Sequence, residues 1–259
     1  MRNNGQEPFR ERILETSRSN DSRIIVAIDL HNGRPSYIGK RALSLVEKTH
    51  RSICGVKFGR QTVLSLGPRQ TASLLRKIHD YRLPTIIDDK LNDIDETNEA
   101  ITRTYHDLGF DALTVNPFAG WKGGLQTAFR FAHDHGMGVI ALVYMSHPGA
   151  SEGYGQKISI DSSGKTRLQF EVFAKKAVDW RADGAIVGAT RPDIVRRAKE
   201  ILGDKVLIFS PGIGAQGGDV RRSLKAGTDY FIIGRSITNA KIPANAARRF
   251  ANASVALDN

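Results

Sequence analysis

Asp88, Lys90 and Asp93 are the residues of this chain whose types and spacing point most directly to chemistry. They form an Asp-x-Lys-x-x-Asp array just after residues 84–87, a short apolar run that reads as a buried strand. Beyond it, Ile94, Ala100, Ile101, Tyr105 and Leu108 recur at helical spacing, so the array sits where a strand ends and a helix begins. Asp88 and Lys90 are two apart and can project to one side of a strand, with Asp93 on the turn beyond. Acid, base and acid in one place are costly to desolvate unless the charges compensate each other. Held together, they make an acid–base group with preorganised charge. The plainer reading is a helix start rich in acids, which the helix macrodipole favours. The array alone does not separate the two.

The elements that must position the array follow from the rest of the chain. At 259 residues it allows one large domain or two small ones, and an α/β barrel fits as a single unit. An apolar content of 40% is that of an ordinary globule long enough to bury a core. No apolar run approaches bilayer length, and residues 1–20 are polar with no apolar signal core. The single cysteine, Cys54, excludes an intrachain disulfide and reads as a small core residue, which suits a reducing cytoplasm. The net charge of +11 favours anionic partners, either nucleic acid or a phosphorylated small molecule. The basic residues are dispersed, without a dense tract or interleaved aromatics, which makes nucleic acid the weaker choice.

Residues 6–18 have the spacing of a short amphipathic helix, with Phe9, Ile13 and Leu14 on one side. Strands are expected at 24–28, 53–58, 84–87, 112–115, 138–145, 184–187, 206–209 and 230–233. Helices are expected at 42–50, 70–81, from 94 onward, and at 125–135, 167–180, 192–202, 219–226 and 244–255. Short apolar strands alternating with helices imply parallel pairing. Eight such units predict a single (β/α)8 TIM barrel over residues 23–259, preceded by a polar N-terminal extension with a short helix over 1–22. The active site of such a barrel lies at the C-terminal ends of its strands.

On this map Asp29, Lys57, Asp88 and Lys90 all fall at the ends of the first three strands. One charged strand end is uninformative, because loops are polar anyway; four in adjacent positions are hard to attribute to chance. A second group, Ser210 to Gly218, follows the seventh strand and pairs with Gly234-Arg235-Ser236 after the eighth. Glycines let backbone N–H groups approach an anion, and barrels commonly bind phosphate between these two loops. Arg235 adds a cation that can grip phosphate with two N–H groups. The plainer reading is two tight turns and an incidental arginine. A third group, Ser146-His147-Pro148-Gly149, opens a Gly- and Ser-rich stretch to residue 165, which reads as a functional lid or as disorder. His31 and His147 lie in loops near the expected mouth, while His133 and His135 read as solvated at a helix end. No metal-ligand spacing of His-Glu-x-x-His or Cys-rich type is present. Arg191-Pro192 reads as a helix start.

Asp88-x-Lys90-x-x-Asp93-Ile94, together with Asp29, Lys57, Met145-Ser146-His147-Pro148-Gly149, Ser210-Pro211-Gly212-Ile213-Gly214-Ala215-Gln216 and Gly234-Arg235-Ser236, resembles the orotidine 5′-phosphate decarboxylases of the archaeal type. The resemblance runs from about residue 24 to 243, with motifs in order at six strand ends. Asp89 departs from it, at a position usually apolar, and so does Asp95, where the family often has proline; a charge at 89 is expected to point away from the site. Residues 1–20 and 150–166 are less familiar. The resemblance implies decarboxylation of orotidine monophosphate to uridine monophosphate without cofactor or metal. It implies that Lys90 protonates C6 of the pyrimidine, that Asp88 faces the substrate carboxylate, and that Lys57 and Asp88 keep Lys90 charged and aimed. Asp29 and Lys57 would reach the ribose, Ser146 the pyrimidine, and Pro211, Gln216, Gly234 and Arg235 the phosphate. Asp93, Ile94 and Thr97 would enter the neighbouring site of a homodimer.

Two other readings compete. Sugar-phosphate decarboxylases and aldolases of the same superfamily use the same array but bind magnesium through a carboxylate on the second strand, where this chain has Lys57. A non-catalytic barrel binding nucleic acid through its basic surface would show salt-sensitive binding and no turnover.

Overall fold

The computed structural model describes residues 7–160 and 164–256. The first six residues of the expected extension, with the start of its helix, residues 161–163 of the expected loop and the last three residues lie outside the described residues. Eight strands close into a barrel in chain order, all neighbours parallel, and the eighth pairs back onto the first. They are β1 (Ile24–Ile28), β2 (Gly55–Gly59), β3 (Thr85–Leu91), β4 (Ala112–Val115), β5 (Gly138–Tyr144), β6 (Gly184–Val187), β7 (Leu207–Pro211) and β8 (Tyr230–Ile233).

Strand periodicity explains both the core and the site. Ile24, Val26 and Ile28 face the surrounding helices, while Ile25 and Ala27 join Ile86, Ala112, Ile140, Leu142, Ile186 and Ile232 inside the barrel. Because both faces are covered, the strands read as continuous apolar runs. Two residues further along the first, third and fourth strands, the inward positions become polar. Asp29 follows Ala27, Asp88 follows Ile86, and Thr114 follows Ala112.

The outer helices follow the expected order. Four of them, starting at Pro35, Pro68, Pro192 and Pro243, carry proline in the first turn, where its missing N–H costs nothing. The helix expected over 42–50 begins earlier, spanning Pro35–Thr49, because Pro35 initiates it and Ile38 extends its buried stripe. Short helices at Arg60–Leu66 and Arg235–Thr238 have too few periodic residues to be read from spacing alone.

At the N-terminal end of the barrel lies the helix Phe9–Ser19. Phe9 and Ile13 are buried in the interior cluster, and Phe9 stacks on Phe209 at 6.4 Å. A Cβ on Gly138 would fall 2.2 Å from the Phe9 ring, so glycine at the start of β5 makes room for it.

The stretch after β5 is more ordered than a featureless loop. It contains the helix Ala150–Tyr154 and an antiparallel hairpin of Lys157–Ser159 with Thr166–Leu168. Tyr154 packs against Tyr144 and Phe173, which anchors the insertion to the barrel wall. The helix expected from 167 therefore starts at Gln169, after the hairpin ends.

Candidate active site

The strand carrying the array is longer than its apolar run suggests. β3 continues through Asp88, Asp89 and Lys90 to Leu91. On one side it stays in step with β2, Gly59 opposite Asp88. On the other its register shifts. Ile87 pairs with Leu113 and Leu91 with Val115, so the three residues Asp88–Lys90 stand opposite the single Thr114. Lys90 absorbs the bulge with a left-handed backbone at φ 60°. For a residue with a Cβ this is strained, and such strain is commonly found at functional sites.

The bulge turns both Asp88 and Lys90 inward. The Asp88 carboxylate accepts from Lys57 Nζ at 2.7 Å on one oxygen, and from Lys90 Nζ at 2.6 Å and the Thr114 hydroxyl at 3.0 Å on the other. Lys57 also stands 3.7 Å from Asp29, which accepts from the Gln61 amide at 3.2 Å. Burial alone would raise the Asp88 carboxyl, but the two ammoniums outweigh it and hold the group well below the usual carboxylate range. Burial likewise opposes charge on Lys57, yet Asp88 and Asp29 prevail and its pKa is raised. Both shifts favour the charged forms of Asp88 and Lys57, which compensate each other across their hydrogen bond.

Asp89 points the other way. It is buried and meets Arg60 at 3.3 Å. Burial raises its carboxyl above the ordinary value, against the pull of Arg60 and a hydrogen bond from Tyr105. Its expected orientation away from the site is what the fold shows, since it does not line the cavity. Asp95, at the other departure, accepts from the amide and hydroxyl of Thr127 at 3.1 and 2.6 Å, tying the helix Asp95–Leu108 to its successor.

A cavity of about 240 Å³ opens over the array. Asp29, Lys57, Asp88 and Lys90 line one side; Ser146, Pro211, Gln216, Gly234 and Arg235 line the other. Three cations and two anions thus line the cavity, a balance suited to an anionic ligand. The two glycine loops are tied together where Ala215 N–H donates to Ser236 Oγ at 3.1 Å. Gly214 has φ 71°, and a Cβ there would come within 2.4 Å of the same hydroxyl. The exposed Arg235 makes no ion pair among the described residues. Asp93 and Ile94 are exposed and, with Thr97, lie outside this cavity. Asp93 Oδ1 accepts from the Ile94 N–H at 2.7 Å.

Sequence reasoning missed Thr114, Gln61 and the Asp89 partners Arg60 and Tyr105. Thr114 left one signal, a lone polar residue in an apolar strand, but its opposition to the array depends on the bulge. Among the described residues no group of three His, Cys, Asp or Glu side chains is arranged to hold a metal ion.

A sequential (β/α)8 barrel with a braced Asp/Lys group at β1–β3 and an anion-ready loop pair at β7–β8 is the architecture of a phosphate-ligand barrel enzyme. Residues 22–250 match the model of the orotidine 5′-phosphate decarboxylase / HUMPS family, and the chain belongs to that family. It is 34% identical to an orotidine 5′-phosphate decarboxylase of Pyrococcus abyssi, over 87% of this chain and 95% of that one. It is 32% identical to that of Methanosarcina barkeri, over 82% and 88%. A crystal structure of orotidine 5′-monophosphate decarboxylase from Methanocaldococcus jannaschii, complexed with the inhibitor BMP, superimposes with a TM-score of 0.74 at 25% identity. That likeness covers 90% of this chain and 98% of that one.

Proposed function

We propose that the protein decarboxylates orotidine 5′-monophosphate to uridine 5′-monophosphate in de novo pyrimidine synthesis. The observation that carries this reading is the Asp88 carboxylate braced between Lys57 and Lys90 at the edge of an anion-ready cavity. In the reaction the bond between C6 and the carboxylate breaks and its electron pair stays on C6. Carbon dioxide departs, and the Lys90 ammonium passes a proton to C6. The lysine then regains a proton from solvent. Asp88 faces the departing carboxylate, so their repulsion is relieved as the bond breaks. Lys57 keeps Asp88 ionised, and the charges are in place before the reaction, so little reorganisation is needed.

Asp29 and Lys57 hold the ribose, Ser146 the pyrimidine, and Pro211, Gln216, Gly234 and Arg235 the phosphate. Binding energy from the remote phosphate is thereby used at the reacting ring. In the magnesium-dependent sugar-phosphate enzymes a carboxylate stands where this chain has Lys57, and an ammonium there repels the metal. The active form is a homodimer in which Asp93, Ile94 and Thr97 complete the partner's site. Ile94 and Phe118, exposed just beyond the ends of β3 and β4, supply apolar surface for the contact. The catalytic unit is residues 23–259, with the N-terminal extension closing the far end of the barrel. The role sets the protein in the cytoplasm with no nucleic-acid partner; among the described residues no helix is long and apolar enough to cross a membrane.

The test is the loss of orotidine monophosphate absorbance with purified protein, with and without chelator. Turnover is expected in both, and Lys90→Ala is expected to abolish it while leaving the circular dichroism spectrum and Tm near those of the wild type. Near-normal activity of Lys90→Ala would remove Lys90 as the proton donor.

A further inference from the structure

We infer that Thr114 is a positioning residue for the Asp88–Lys90 group, closing a ring of hydrogen bonds that runs from the Lys90 backbone to its own ammonium. The inference rests on the proposed decarboxylation only for its effect on rate; the ring itself is a feature of the fold.

Thr114 is fully buried on β4 and does not line the cavity, so it is placed to act through its neighbours rather than on a ligand. Its hydroxyl accepts the Lys90 N–H at 2.9 Å and donates to Asp88 Oδ1 at 3.0 Å. The same carboxylate oxygen accepts from Lys90 Nζ at 2.6 Å. The ring therefore passes from the Lys90 amide to Thr114, to Asp88, and back to the end of the Lys90 side chain.

Direction follows from chemistry. A hydroxyl has one proton to give. Having accepted from the amide, Thr114 can give it to Asp88, whose ionised carboxylate only accepts.

The ring also answers a need created by the bulge. With three residues of β3 opposite one of β4, the Lys90 N–H falls out of the regular ladder between Ile87 and Leu91. A buried amide without a partner is costly, and the left-handed φ of Lys90 is unfavourable for a residue with a Cβ. The threonine hydroxyl supplies the missing acceptor. In doing so it fixes the backbone from which the Lys90 side chain departs, and it adds a donor that holds Asp88 in register with that side chain. A misplacement of about 1 Å at a reacting group can cost about a hundred-fold in rate, so such a brace bears directly on turnover.

Thr114→Val keeps the β-branched shape and removes the hydroxyl; Thr114→Ser keeps the hydroxyl. Two readouts are needed, amide hydrogen exchange at Lys90 in the folded protein and steady-state kinetics with orotidine monophosphate. Thr114→Val is expected to speed Lys90 exchange at least ~10-fold relative to β3 amides further from the bulge. It is also expected to lower kcat about 10- to 100-fold with KM within about threefold, the size of losing a hydrogen bond to a charged group. Thr114→Ser is expected to leave both readouts within about threefold of wild type. Unchanged exchange in Thr114→Val, or a serine variant as impaired as the valine one in both readouts, overturns the inference. Faster exchange with an unchanged kcat also overturns it, because the ring would then be structural only. Altered exchange in a protein whose wild type turns over no orotidine monophosphate keeps the ring and rejects the proposed function instead.

Discussion

Neighbouring carboxylates on β3 lead opposite electrostatic lives. Asp88 is surrounded by two ammoniums and a hydroxyl, and its pKa falls despite burial. Asp89, one residue on, faces outward, and there burial prevails over Arg60 and the Tyr105 hydroxyl, so its pKa rises. The difference is one of donor count and charge, set by which side of the strand each occupies. Arg235 illustrates a cation without such compensation. Exposed beside Gly234, it is free to meet a phosphate with two parallel N–H groups. One such charge-assisted contact contributes about 1.5–3 kcal/mol, or roughly ten- to a hundred-fold in kcat/KM. Arg235→Ala is expected to lose at least that much with orotidine monophosphate. A larger loss would mean that Arg235 also supports closure of the segment opening at Ser146 over the substrate, excluding water and strengthening the charged contacts. With orotidine, which lacks the phosphate, the wild type is expected to be slow and the mutation to slow it little further. Equal damage with both substrates would assign Arg235 a structural role.

At the scale of elements, the barrel is closed below as carefully as it is charged above. Asp111, just before β4, is fully buried and accepts from Arg12 at 2.7 Å, from His79 at 2.8 Å, and from the Thr85 amide and hydroxyl at 2.7 and 2.9 Å. It thereby joins the N-terminal helix, the helix Pro68–His79 and the start of β3. Burial would raise its carboxyl, but His79 and Arg12 hold it well below the ordinary range. A carboxyl with a depressed folded pKa stabilises the fold above its unfolded pKa of about 4, and that stability is lost as pH falls through and below this value. Chemical denaturation as a function of pH is therefore expected to show stability declining from about pH 5 downward. Asp111→Asn should lower stability by about 3–5 kcal/mol at neutral pH, since it leaves Arg12 without its buried partner. The same variant should flatten the acid limb, and a limb as steep as that of the wild type would place the linkage elsewhere. Activity per folded molecule should change little, because Asp111 lies at the opposite end of the barrel from the array.

Across the whole molecule, the net charge of +11 and the exposed turn at Asp93 and Ile94 both bear on the proposed function. A basic surface draws an anionic substrate from a distance by an attraction that salt screens. The turn, outside its own chain's cavity, is available to a second copy. Asp93→Ala alone is expected to be nearly inactive. Mixed with Lys90→Ala subunits it should regain partial activity, because a fraction of hybrid sites then carries an intact lysine from one chain and an intact aspartate from the other. Absence of recovery after subunit exchange, verified by differently tagged chains, would argue against a shared site.

The sequence by itself determined the barrel, because eight apolar runs separated by amphipathic segments admit few topologies once both strand faces must be buried. The strand boundaries then placed Asp29, Lys57, Asp88 and Lys90 at the ends of the first three strands, and the glycines around Arg235 marked the loops after the seventh and eighth strands. All of these depend on residues near one another in the chain. What only the tertiary structure decided depends on cross-strand register. The extension of β3 through Lys90, the bulge that sets three residues against Thr114, and the outward turn of Asp89 toward Arg60 and Tyr105 arise between strands and helices, not along them. The stretch after β5 likewise read as open loop because its polar residues carry little periodicity. Its order comes from hairpin pairing and from Tyr154 against Tyr144 and Phe173, contacts with partners that local spacing does not reveal.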